Sequence, residues 1–119
     1  MSSYQNLDAW KVAMQLVQEI YTITKLYPKE ELYGLTSQTR RAAVSIPSNI
    51  AEGMGRNYKN DTIQFLYIAR GSLYELETVL KIAINNRMID DMSLNSLLPL
   101  IDKNQQVLKG LINYLEKSK

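Results

Sequence analysis

The chain contains neither cysteine nor histidine. Disulfides, thiolate nucleophiles, imidazole acid–base chemistry and the usual zinc ligands are therefore excluded together. Proline and glycine are scarce, three and five among 119 residues, too few for a linker-rich or disordered chain. No apolar run approaches the roughly 18 residues of a membrane span. The opening Met1-Ser2-Ser3-Tyr4-Gln5-Asn6 lacks the charged and then apolar pattern of an export signal. A cytoplasmic location and no membrane partner are expected. Charge of one sign is also short: 14 Lys and Arg stand against 12 Asp and Glu, a net +2, so attraction to nucleic acid has to come from clustering.

What remains is a globular composition, 45% hydrophobic and 22% charged, in a length that favours one domain over residues 1–119. Four periodic segments are separated by short stretches of Pro, Gly, Asn and Asp, and none alternates as a strand does. The first starts near Asn6 or Asp8, repeats apolar residues at Trp10, Ala13, Met14, Val17, Ile20 and Tyr21, and ends at Pro28. The second begins around Leu35 to Ser37 and carries small residues, Ala42, Ala43, Ser45, Ser48, Ala51 and Gly53, that admit a close neighbour. Pro47 inside it predicts a kink, a local loosening near residue 43, or a split into two helices.

Gly53 and Gly55 are read as supplying a positive φ at a helix terminus. A phosphate loop is the alternative, but Gly-Met-Gly-Arg follows a helix and lacks the Walker spacing. Asp61 and Gln64 resemble a capping box for the third segment, which also has a start one turn earlier. Its stripe Leu66, Ala69, Leu73, Leu76, Leu80 and Ala83 is a bundle seam. The fourth segment repeats Leu94, Leu97, Leu98, Ile101, Leu108, Leu111, Ile112 and Leu115, with Ser93 or Ser96 as cap and Pro99 favouring the later start. Short connections between four long helices predict an all-α, antiparallel up-down-up-down four-helix bundle.

A second apolar stripe on the third segment, Phe65, Ile68, Val79 and Ile82, exceeds what one bundle core needs and is expected to be an oligomer interface. The alternative is a thick core that covers both stripes. Ser72 and Glu75 interrupt that stripe, and a carboxylate there wants a partner; Arg41, Glu52 and Glu75 are expected to form an ion-pair network with an Arg41–Glu75 contact. Such a network either fixes helix register, lies at a subunit boundary, or forms a ligand site. Catalysis has little to work with. Glu52 and Glu75 lack the Glu-x-x-His repeat of di-iron bundles, and Ser45 and Ser48 lack a base. No enzyme, metal or cofactor is expected. Between residues 36 and 70, Arg40, Arg41, Arg56, Lys59 and Arg70 face only Glu52 and Asp61. Repeated by symmetry, such an excess suits phosphate backbones, with Tyr58 and Tyr67 as stacking partners; a solvated face with ordinary ion pairs is the other reading.

The runs Tyr33-Gly34-Leu35-Thr36-Ser37-Gln38, Arg40-Arg41-Ala42-Ala43-Val44-Ser45-Ile46-Pro47, Asn49-Ile50-Ala51-Glu52-Gly53 and Phe65-Leu66-Tyr67-Ile68-Ala69-Arg70-Gly71-Ser72-Leu73-Tyr74-Glu75-Leu76 resemble the four-helix-bundle family encoded in intervening sequences of bacterial 23S ribosomal RNA genes. The resemblance extends to Leu7, Trp10 and Ala13. It implies a ring-like homopentamer and a continued or kinked helix at Pro47. Relatives include the accessory variability determinant proteins of diversity-generating retroelements, basic pentamers that bind nucleic acid and a reverse transcriptase; the near-neutral charge here departs from them. The resulting expectation is a non-catalytic, oligomeric RNA- or DNA-associated accessory protein with Arg40, Arg56, Lys59 and Arg70 as contacts. The alternative is a homo-oligomeric scaffold that binds a protein partner and no nucleic acid.

Overall fold

The computed structural model describes residues 4–118. Met1 to Ser3, part of the stretch inspected for an export signal, lie outside the described residues. Four helices make up the bundle: α1 Asp8–Thr24, α2 Ser37–Met54, α3 Lys59–Asn85 and α4 Asp91–Lys117. Each packs on its neighbours in chain order and α4 returns to α1, the closed up-down-up-down arrangement that short connections dictate. No strand occurs among the described residues, and none of their helices is long and apolar enough to cross a membrane. The long axis is 48 Å, set by the 27-residue α3 and α4 at about 1.5 Å per residue.

The core follows the seam. Leu66, Ala69, Leu73, Leu76, Leu80 and Ala83 are fully buried, each leucine contributing about 1.5–3 kcal/mol by leaving water. Facing them are Ala13, Leu16 and Ile20 of α1, Ala43, Ile46 and Ile50 of α2, and Ile101, Leu108 and Ile112 of α4. A few short polar side chains are buried with them, and one amide. Asn104 is buried, and its amide donates to the Val12 carbonyl at 3.2 Å and the Leu100 carbonyl at 2.9 Å, tying α4 to α1.

Helix ends depart from the sequence expectations in instructive ways. α1 stops at Thr24, before Pro28, where the chain tightens into a turn, Leu26 donating to the Ile23 carbonyl and Tyr27 to the Thr24 carbonyl, both at 3.1 Å. A wide helical turn over Leu32–Thr36 then leads into α2, with non-helical backbone at Gly34 and the Glu31 carboxylate accepting from the Leu35 amide at 3.2 Å. α2 runs through Pro47 without splitting. Neither Gly53 nor Gly55 takes a positive φ. Gly53 is needed for space: an added Cβ would lie 2.8 Å from Phe65 Cβ and 3.1 Å from the Thr62 carbonyl. Among the described residues, the left-handed position is Arg87 instead (φ 61°), which closes α3 as Met88 donates to the Ala83 carbonyl.

Asp61 lies in the first turn of α3 and does not cap it; Tyr58 precedes the helix without a side-chain cap. α4 starts earlier than either serine suggested. Asp90 is its cap, accepting from the Ser93 amide and the Ser93 hydroxyl, both at 2.8 Å, and Pro99 is taken up inside the helix.

Two outcomes are expected. Gly53→Ala lowers stability by about 1–3 kcal/mol, the usual cost of overpacking, read as a drop in the urea midpoint. The hydrogen bonds from Ser93 hold the Asp90 carboxyl below its ordinary value. Its stabilisation is thus present above the ordinary aspartate range and disappears as pH falls through the lowered value, so the protection factors of amides at the start of α4, exchange rates taken relative to the unstructured chain at the same pH, fall in acid and show no such fall in Asp90→Ala.

Candidate functional site

The α2–α3 seam places the polar residues that sequence analysis singled out. Ser45 and Ser72 hydroxyls meet at 2.8 Å across it, and the Asn49 amide donates to the Ser45 carbonyl at 2.8 Å and the Ser45 hydroxyl at 2.9 Å. Ser72 also bonds back to the Ile68 carbonyl at 3.1 Å. Short hydroxyls and the Asn49 amide therefore satisfy the polar part of the seam among themselves. The Arg41, Glu52 and Glu75 network does not form: all three are exposed. Arg41 and Glu75 line one hollow of about 410 Å³ with Tyr33, Gly34, Ser37 and Gln38, but neither makes an ion pair with the other. In water both charges keep their hydration, and nothing in the packing forces them together.

The four cations expected on nucleic acid are not gathered on one surface. Arg56 and Lys59 flank the α2–α3 turn, Arg70 lies eleven residues further along α3, about 16 Å, and Arg40 sits in the first turn of α2 at the opposite end. Each is held by the chain itself. Arg40 donates from Nε to Thr24 Oγ1 at 2.9 Å and lies 4.7 Å over the Tyr21 ring. Arg56 lies 4.5 Å over Phe65, Arg70 4.7 Å over Tyr67, and the Lys59 ammonium donates to the Ser118 carbonyl. Stacked guanidiniums keep their charge and free N–H edges, so these are positioned cations and not neutralised ones. Tyr67 is less available for base stacking than expected, with one face under Arg70 and its hydroxyl donating to Glu116 Oε2 at 2.7 Å. That bond to the carboxylate raises the Tyr67 phenol above its ordinary pKa.

The outer stripe divides. Val79 is 2% exposed and belongs to the core, and Phe65 is half-buried between Gly53 and Arg56. Both were expected at an oligomer interface, and Val79 is withdrawn from it because it is buried within the hydrophobic core cluster. Ile68 and Ile82 remain outside at 51% and 41% exposure. Gly71 lies on the same outer edge, with open space where a Cβ would stand.

Sequence reasoning gave no role to a hollow of about 590 Å³ between the end of α1, the connector and α2, lined by Tyr21, Leu32, Tyr33, Arg40, Arg41 and Val44 among others. The available signal was Tyr33 itself, a tyrosine beside glycine in a connector that neither helix stripe reaches. No group of three or more Asp or Glu among the described residues could hold a metal ion.

A sequence profile of the family described as 23S rRNA-intervening sequence protein matches residues 5–110. The fold is similar to a crystal structure from Bacteroides thetaiotaomicron described as a protein with unknown function from the S23 ribosomal protein family. The two share a TM-score of 0.79 at 21% identity, over 87% of this chain and 97% of that one. At that identity the likeness is one of fold. No curated protein matches the chain.

The geometry of the exposed charges carries an expected outcome: Glu75→Gln and Arg41→Gln each change stability by less than about 0.5 kcal/mol, as surface substitutions without a partner do. A urea titration that shows a loss several times larger would restore the ion pair.

Proposed function

The chain belongs to the 23S rRNA-intervening sequence protein family, and from that premise we propose that it is a non-catalytic, self-assembling accessory protein that associates with RNA or DNA. The observation that carries the assembly is the outer edge of α3. Single exposed apolar residues are ordinary, but here Ile68 and Ile82 stand on either side of Gly71. A glycine inside a helix costs about 1 kcal/mol against alanine, and nothing within this chain requires it, since an added Cβ would touch nothing. Close approach of a second copy supplies the reason. The ring-like pentamer implied by the family resemblance is the proposed form, as it is for the related accessory variability determinant proteins.

Assembly is also what makes nucleic-acid association workable with a net charge of only +2. Repetition turns the Arg56 and Lys59 pair of each copy into a ring of cations, and Arg70 and Arg40 into further tiers, positioned for phosphates. The family's name adds a genomic link to ribosomal RNA, not a place in the ribosome. One observation favours a second reading, a scaffold for a protein partner: all four cations already have partners within the chain.

Sedimentation of the full chain is expected to give an oligomer that dissociates in Ile68→Glu. Gly71→Ala should loosen the oligomer while stabilising the isolated helix by about 1 kcal/mol. A monomer at all concentrations would remove the assembly. Retention of labelled RNA and DNA should fall steeply with salt; absence of binding at low salt, or indifference to salt, leaves the scaffold.

A further inference from the structure

We infer that the cleft between α1 and α2 is a binding site for one nucleotide of a single strand, its base stacked on Tyr33 and its phosphate held by Arg40 and Arg41. This rests on the proposed association with nucleic acid and adds a place and a strand preference to it.

The cleft consists of two adjoining hollows, about 590 and 410 Å³, which share Tyr33, Ser37 and Arg41 as the ridge between them. The larger falls within the roughly 300–1,000 Å³ of small-molecule sites. Tyr33 is 95% exposed, an aromatic ring with both faces in water at the lip of the cleft. Core packing gives no account of it. A tyrosine placed so is a stacking platform for a base.

The cations are arranged differently. Arg40 is fixed: its Nε donates to Thr24 Oγ1 at 2.9 Å, its guanidinium lies 4.7 Å over Tyr21, and the Thr24 hydroxyl spends its own proton on the Ile20 carbonyl at 2.7 Å. The Nη groups of Arg40 make no hydrogen bond to the described residues, so the edge that grips phosphate bidentately is oriented and unused. Arg41, the next residue, is exposed and makes neither ion pair nor hydrogen bond among them. Glu75 lines only the smaller hollow, where its charge repels an anion. The phosphate is thereby directed to the larger one, beside Arg40.

A duplex keeps its bases stacked inside and has nothing to lay on Tyr33. The site therefore favours single strands or an unstacked base. Its larger hollow opens towards Tyr21 of α1, and Glu75 on the rim of the smaller one belongs to α3, the helix assigned to assembly.

The test is fluorescence anisotropy with a labelled oligouridylate and a duplex RNA of equal length, using the full chain, Tyr33→Ala, Tyr33→Phe, Arg41→Gln and the double variant Arg56→Gln/Lys59→Gln. The substituted side chains are exposed, and circular dichroism should not change. Tyr33→Ala should weaken oligouridylate binding about tenfold or more and leave duplex binding unaltered, Tyr33→Phe should retain it, and Arg41→Gln should flatten the salt dependence by about 0.7 in log–log slope. Oligouridylate binding that ignores Tyr33→Ala and Arg41→Gln but falls in the double variant overturns the nucleotide site and leaves the proposed function standing. If neither polymer binds but uridine monophosphate shifts the resonances of Tyr33 and Arg41, the site stands and the association with polymers is lost. Silence towards both polymers and the mononucleotide overturns both.

Discussion

At Gly53 the backbone of α2 comes so close to α3 that a methyl group would collide with Phe65, and the positions of the other helices follow from that approach. Ala42 and Ala43 are buried without filling much volume, so the two helix backbones stay near each other along their length. The Ser45–Ser72 pair closes the seam with one hydrogen bond in place of a large side chain. The space left for α1 and α4 is then fixed by Leu16, Ile20, Ile101 and Leu108, all fully or almost fully buried. A larger residue anywhere on the α2 side of this seam would push two helices apart and open the whole ring of contacts.

Periodicity made the bundle legible. The repeat from Leu66 to Ala83 could belong only to a helix with one buried face, and four such segments with short links leave few other topologies. How far a neighbour wraps round a helix is not a property of that helix's own pattern, which is why Val79 looked outward and is buried. Gly53 illustrates a different limit. A glycine that relieves a crowded contact and one that takes a left-handed turn look the same in sequence, and the turn that needs a left-handed residue fell on Arg87. At α4, Ser93 and Ser96 were read as caps, yet Asp90, with the same chemistry three residues before Ser93, takes the role, and the choice depends on where the preceding turn delivers the chain.

The candidate site was legible as residues and not as an arrangement. Arg40, Arg56, Lys59 and Arg70 were visible as a local excess of charge, but Arg40 and Arg56 lie over aromatic rings of other segments, nineteen and nine positions away, pairings that no local pattern encodes, whereas Arg70 over Tyr67 is a contact between neighbours on one helix face. The expected Arg41–Glu75 pair shares a hollow without closing it, the outcome that solvent screening favours for two exposed charges on neighbouring helices. Arg40 shows the opposite case: partial burial beside Tyr21 and Thr24 removes its freedom and gives its charge a direction.

The connector over residues 25–36 carries Tyr33 on a turn whose side chains contribute little to the core beyond Tyr27 and Thr36. The bundle and the surface it displays are therefore separable in design. Tyr33, almost fully exposed, can be exchanged for another side chain without changing a buried volume, and the helices would hold the replacement in the same place beside Arg40. A fold of this kind behaves as a fixed mount with an interchangeable tip, so proteins sharing its helices can differ entirely in what they grip.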